Sequence, residues 1–227
     1  MAVINGHNRP EEMSGTMGDD RIRGKGGADT IFGLGGGDRI FGEGGDDTLY
    51  DDIADIFGQP LYPGGADQVD GGTGNDTIKL SFGNDTADGG AGDDIIRDFL
   101  ETDDVMIGGA GNDRLIDYTG ADVFEGGTGN DYIVDGYFLR TGPDDGADRY
   151  IHRKTKGGFG DDTILGFDQG YGDRIEFQGY RPADLVSQTE TERATVFTFT
   201  DGSVLTAYQD ERQILHDMLP GRDFIFT

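Results

Sequence analysis

The chain has 227 residues, no cysteine and a formal charge of 18 − 45 = −27. The missing cysteines exclude disulfides and thiolate zinc sites. The acidic excess opposes binding to nucleic acid or to an anionic membrane surface, both of which need Lys/Arg patches. Hydrophobic residues make up only 34% and glycines number 42, a mixture that reads as disorder unless the glycines keep a register.

The N-terminus, Met-Ala-Val-Ile-Asn-Gly-His-Asn, has neither a basic nor an apolar stretch, so a cleavable secretory signal is not expected. No segment is long and apolar enough to span a bilayer. Residues 1–14 read as an N-terminal cap. From Gly15 a nine-residue period begins, with loops ending at Asp20, Asp29, Asp38 and Asp47. Five later segments match G-G-x-G-x-D in full: Gly71–Asp76, Gly89–Asp94, Gly108–Asp113, Gly126–Asp131 and Gly157–Asp162. Two residues past each Asp stands an apolar residue: Ile22, Ile31, Ile40, Leu49, Ile78, Ile96, Leu115, Ile133 and Ile164. The period predicts six turn residues followed by three extended ones. Glycine permits the tight turn, and in the extended triplet only the middle side chain faces inward. One buried aliphatic per repeat cannot hold a repeat alone, so the repeats must stack, two to a turn of a flattened helix.

Calcium is a hard cation that takes six to eight oxygen ligands, and a turn with free carbonyls beside a carboxylate supplies them. Asp-rich G-G-x-G-x-D-x-U-x nonapeptides resemble the RTX (repeats-in-toxin) calcium-binding family, over roughly Gly15 to Ile175. The resemblance implies an all-β parallel β-roll, a right-handed solenoid binding several Ca2+ ions between a loop and the loop one turn later. It implies that the earlier loop gives its second and fourth carbonyls plus its Asp, and the later loop its first and third carbonyls plus its Asp. Carried onto this chain, one ion takes Gly72, Gly74, Asp76, Gly89, Ala91 and Asp94. The next takes Gly90, Gly92, Asp94, Gly108, Ala110 and Asp113. A third takes Gly109, Gly111, Asp113, Gly126, Thr128 and Asp131. The set extends to Gly127 and Gly129 with Gly157, Phe159 and Asp162. Near the N-terminus the pairs are Thr16, Gly18, Asp20 with Gly33, Gly35, Asp38, and Lys25, Gly27, Asp29 with Gly42, Gly44, Asp47. There Thr16, Lys25, Leu34 and Glu43 stand where the repeat has its second glycine.

The sixth-position aspartates run Asp20, Asp29, Asp38, Asp47, Asp67, Asp76, Asp85, Asp94, Asp104, Asp113, Asp122, Asp131, Asp148 and Asp162, at spacings of 9, 9, 9, 20, 9, 9, 9, 10, 9, 9, 9, 17 and 14. Alternate repeats share an edge of the roll. One edge carries Asp76, Asp94, Asp113, Asp131 and Asp162 in complete loops. The other carries Asp67, Asp85, Asp104 and Asp122 in poor loops, and is expected to bind calcium weakly or not at all. Segments 51–66 and 135–147 break the repeat and read as tolerated insertions or as protruding contact loops. Asp55 with Phe57 marks the first, and Tyr137, Phe138 and Leu139 the second.

Residues 176–227 read as a C-terminal cap. Thr195–Thr200 alternates, Asp201-Gly202 signals a hairpin and Val204–Ala207 returns. Arg212–Leu219 is expected as a short helix, stopped at Pro220-Gly221. The last residues, Arg222 to Thr227, resemble the uncleaved signal of type I secretion substrates, which implies the type I export machinery as partner and an extracellular destination. No H-E-x-x-H and no G-x-S-x-G occurs, so neither the zinc protease nor the lipase that can accompany such repeats is expected. His7, His152 and His216 show no ligand spacing and read as surface or cap residues, with His152, beside Arg153, Lys154 and Lys156, the first candidate for an exception. The basic run Arg153-Lys154-Thr155-Lys156 reads as a solubilising loop or an anion contact. The expectation is a secreted calcium-binding structural or binding module, with extracellular polysaccharide or self-association as further partners. The alternative is a polysaccharide-active enzyme or carbohydrate-binding accessory module built on the roll.

Overall fold

The alternation of side chains in three-residue strands sets the architecture. In the computed structural model, which describes residues 1–52, 64–98, 100, 102–136, 146–168, 172–191, 193–209 and 223–227, the nine predicted inward residues from Ile22 to Ile164 are all fully buried. The strands form two long sheets. One stacks Val3–Asn5, Arg21–Arg23, Arg39–Gly44, Gln68–Thr73, Thr86–Ala91, Val105–Ala110, Val123–Thr128, Arg149–Arg153, Arg174–Gln178 and Phe224–Phe226, in parallel and in that order. The other stacks Glu12–Ser14, Thr30–Leu34, Thr48–Asp52, Thr77–Lys79, Ile95–Arg97, Arg114–Ile116, Tyr132–Val134 and Asp161–Phe167. Val3 pairs with Arg21 and Thr30 with Thr48, the register of two nonapeptides per turn.

This is the predicted parallel β-roll, and its core is two facing columns. Ile22, Ile40, Val69, Ala87, Met106, Phe124 and Tyr150 come from the first sheet; Met13, Ile31, Leu49, Ile78, Ile96, Leu115, Ile133 and Ile164 come from the second. The interrupted stretches do not break the register: Arg39 pairs with Gln68 across residues 53–63, and Val123 with Arg149 across residues 137–145. Those two segments, with Asp55, Phe57, Tyr137, Phe138 and Leu139, lie outside the described residues. So do the Arg212–Leu219 helix and His216.

The two ends carry the outermost strands of the sheets. Residues 3–14 are the first rungs of the two sheets, because Ile4 pairs with Ile22 and Met13 with Ile31. At the other end the predicted hairpin forms, Ala194–Phe199 against Val204–Gln209, with Leu185–Glu190 as a third antiparallel strand. Its Gly202 has φ 97°, which a residue with a side chain rarely adopts. Val204–Gln209 lies parallel to Asp161–Phe167, and Phe224–Phe226 parallel to Arg174–Gln178. The C-terminal region therefore continues both sheets, and its inner face is aromatic: Phe159, Phe177, Tyr180, Phe197, Phe199 and Phe224 are buried together.

Candidate metal centre

Every sixth-position aspartate is buried, 2% exposed or less. Each edge of the roll carries a ladder in which a loop's Asp amide donates to Oδ1 of the Asp one turn later. Along one edge Asp29 donates to Asp47, Asp47 to Asp76 and Asp76 to Asp94, each at 2.7 Å. The ladder goes on from Asp94 to Asp113 at 2.8 Å, Asp113 to Asp131 at 2.9 Å and Asp131 to Asp162 at 3.0 Å. The other edge runs through Asp20, Asp38, Asp67, Asp85, Asp104, Asp122 and Asp148. It ends on Asp173, whose Oδ1 accepts the Asp148 amide at 3.0 Å. The edge assignment by counting eighteen residues therefore holds, and Asp173 extends it by one rung.

The ladder uses Oδ1 and leaves Oδ2. On the first edge Oδ2 of Asp29, Asp47, Asp76, Asp94, Asp113 and Asp131 is buried with no hydrogen-bond partner. A buried ionised oxygen without a partner is costly. Burial raises these carboxyls despite the amide each accepts: Asp76 and Asp113 to about 7, and Asp131 to about 8. The first glycine of each loop shows where these oxygens point. A Cβ on Gly71 would lie 2.5 Å from Asp76 Oδ2 and 2.5 Å from the Gly89 carbonyl; on Gly89, 2.5 Å from Asp94 Oδ2 and 2.6 Å from the Gly108 carbonyl. The loops that begin at Gly71, Gly89 and Gly108 thus each have a cradle, free of side chain, lined by an orphaned carboxylate oxygen and a carbonyl of the next turn. An all-oxygen, anionic donor set of this kind fits a hard divalent cation.

The N-terminal loops are less regular. Lys25, Leu34 and Glu43 have φ of 81°, 88° and 71°, taking the left-handed conformation of the glycine they replace at a cost in strain. Thr16 behaves differently: its amide and hydroxyl donate to Asp20 Oδ2 at 2.6 and 2.8 Å. That carboxylate is satisfied within its own loop, unlike Asp38, whose Oδ2 has no partner.

The last complete motif departs from expectation. Nothing lies within 4 Å of a Cβ on Gly157, so its loop does not close on Asp162 as the others close on theirs. Asp162 Oδ2 instead meets His152 Nδ1 at 3.0 Å. His152, read from sequence as a surface or cap residue, is 1% exposed and packs against Phe159 and Phe177. The strand Arg149–Arg153 places it inward, and an imidazole takes the carboxylate oxygen that earlier rungs leave open.

The second edge holds what sequence reasoning missed. There the first loop position is glycine at Gly15, Gly33 and Gly166; the turns between carry Asp51, Leu80, Asp98, Asp117 and Asp135. The amides of Leu80, Asp98, Asp117 and Asp135 donate to Arg97, Ile116, Val134 and Leu165, which keeps them in one column. Their carboxylates converge with the sixth-position ones in three buried groups: Asp51, Asp67 and Asp85; Asp98, Asp104 and Asp117; Asp122, Asp135 and Asp148. Within each group one oxygen of each residue lies within 4.8 Å of the others. The signal was present as Asp-x-U-x-Asp at 47–51, 94–98, 113–117 and 131–135. The second Asp is two residues past an inward aliphatic and therefore faces inward too.

Residues 14–49, 64–96 and 100–133 match the RTX calcium-binding nonapeptide repeat. Among solved structures, the extracellular lipase LipA from Serratia marcescens is similar over 91% of this chain at 20% identity and a TM-score of 0.40. The chain spans 39% of that lipase's length. No curated protein matches it.

Proposed function

We propose that this chain, which belongs by its repeats to the RTX calcium-binding nonapeptide family, is a module that folds on binding Ca2+ outside the cell and acts there as a structural or binding protein. The observation that carries the reading is the unbroken run of partnerless, buried Asp Oδ2 atoms from Asp29 to Asp131, those from Asp29 to Asp113 beside carbonyls of the next turn. When bound, calcium supplies the positive charge those oxygens lack.

The chain's own residues do the rest. Gly72, Gly74 and Asp76 of one loop, with Gly89, Ala91 and Asp94 of the next, are the donors of one site. The same rule gives Gly90, Gly92, Asp94, Gly108, Ala110 and Asp113, then Gly109, Gly111, Asp113, Gly126, Thr128 and Asp131. Each internal Asp belongs to two sites, and each new rung presents half of the next, so binding is cooperative. Donors brought together only by stacking do not exist in the unfolded chain, so binding free energy is folding free energy. Extracellular modules have Kd of ~10⁻⁴–10⁻³ M, far above resting cytosolic calcium. The chain would stay unfolded inside the cell, pass an exporter and fold outside.

Circular dichroism during a calcium titration tests this. In chelator the spectrum is expected to show mostly disorder, converting to β-structure over a narrow calcium range. A fully β-structured protein in excess chelator at neutral pH and low ionic strength would overturn the reading.

A further inference from the structure

The edge with poor glycine loops has a donor set of its own. Its loops lack the consensus glycines, yet from Asp51 onward they bury two carboxylates per turn, at the first and sixth positions, except where Leu80 stands. The side-chain-free cradle of the complete loops is replaced here by a carboxylate. In the Asp98, Asp104 and Asp117 group, all three side chains are 0–1% exposed. Asp117 Oδ2 is buried and has no hydrogen-bond partner. A second orphan lies in the same loop: Thr119, whose amide donates to Asp117 Oδ1 at 3.2 Å, buries its hydroxyl without a partner. In the neighbouring groups Oδ2 of Asp67, Asp85, Asp122 and Asp148 is likewise buried and partnerless.

Three carboxylates within 4.8 Å of one another and shielded from water cannot all stay ionised unless something between them is positive; without it they hold protons. A lysine or arginine could fill that role, but no ion pair shown among the described residues joins one to Asp67, Asp85, Asp117, Asp122 or Asp148. Calcium accepts carboxylates and hydroxyls among its six to eight oxygens and tolerates irregular geometry.

We propose that this edge carries a second class of calcium site, built from first- and sixth-position aspartates of successive turns in place of glycine-loop carbonyls. It rests on the reading of the chain as a calcium-binding roll, but not on the donors assigned to the complete loops. The roll is then ion-bound along both edges, by carbonyls and shared aspartates on one and by carboxylate triads on the other.

The test is calcium anomalous scattering from crystals of the whole chain grown in saturating calcium, with bound calcium counted by elemental analysis after dialysis. Peaks are expected within the triads as well as along the Asp76–Asp131 edge. Asp117→Asn, which keeps the side chain's shape, is expected to lose the peak beside Asp98 and Asp104 and about one ion per chain, while the complete-loop peaks persist. Peaks along the complete loops with empty triads would overturn this inference and leave the calcium reading standing. No peaks on either edge would overturn both. Should Asp117→Asn fail to fold, the wild-type map decides alone.

Discussion

Along residues 15–135 each turn of the roll buries mostly aliphatic side chains together with aspartates from both edges. From Tyr150 to Phe226 the same two sheets continue, yet the interior fills with rings. Phe177 lies 4.8 Å from Phe199, 5.4 Å from Phe197 and 5.5 Å from Phe226, contacts worth about 0.5–1.5 kcal/mol each beyond the area they bury. Polar groups are handled differently too. Asp94 and Asp113 leave an oxygen without a partner, whereas Asp162 meets His152 and the Tyr180 hydroxyl donates to Asp201 at 2.6 Å. A β-roll rung can be held by an ion or by its own side chains; the repeats leave carboxylate oxygens open for the first, and the C-terminal end supplies the second.

Chelation should separate the two regions most sharply. In excess chelator at pH 7.5, hydrogen exchange is expected to show the strands between Gln68 and Val134 losing protection. The Ala194–Gln209 hairpin and Arg174–Gln178 should keep most of theirs. Uniform loss along the chain would mean that the aromatic end depends on the ions as much as the repeats do.

Acid should mimic part of what calcium does. The folded values of Asp76 and Asp113 are about 7 and those of Asp67 and Asp131 about 8, all raised from 3.8 by burial. The folded roll therefore holds protons more tightly than the unfolded chain. That contribution is full below pH 4 and is lost as pH climbs from about 4 through 7–8. In chelator, circular dichroism is expected to show more β-structure at pH 5 than at pH 8. Calcium affinity measured by calorimetry should rise as pH climbs over the same interval, because ion and proton compete for one oxygen. A metal-free protein better folded at pH 8 would contradict the burial of these carboxyls.

Phe177→Ala removes the ring at the centre of the aromatic cluster and is expected to destabilise the C-terminal end by about 3–5 kcal/mol. The calcium count in the repeats should not change. Thermal unfolding with elemental analysis checks both, and lost ions would tie the two regions together.

A smaller effect is expected from Gly89→Ala. Its Cβ would crowd Asp94 Oδ2 at 2.5 Å and the Gly108 carbonyl at 2.6 Å, an overpacking cost of about 1–3 kcal/mol. Calcium binding should weaken accordingly. Gly18→Ala, where nothing lies within 4 Å, should be neutral. Equal effects in a calcium titration would mean that the cradle beside Gly89 is not where the ion binds.

The sequence alone determined the roll. A strand of three residues can turn only its middle side chain inward, so Ile22 through Ile164 were bound to face the core, and aspartates eighteen residues apart were bound to share an edge. The hairpin at Asp201-Gly202 was legible for the same local reason. What the aspartates meet was decided by stacking. Asp98 and Asp117 look like ordinary loop residues in the chain, and only the superposition of successive turns brings their carboxylates to Asp104. The glycine motif at 157–162 is complete in sequence, yet Gly157 stands clear of Asp162, because His152 on the preceding strand reaches that carboxylate first. Backbone period is a property of neighbours along the chain, whereas a carboxylate's partner belongs to another turn and is fixed only when the turns pack.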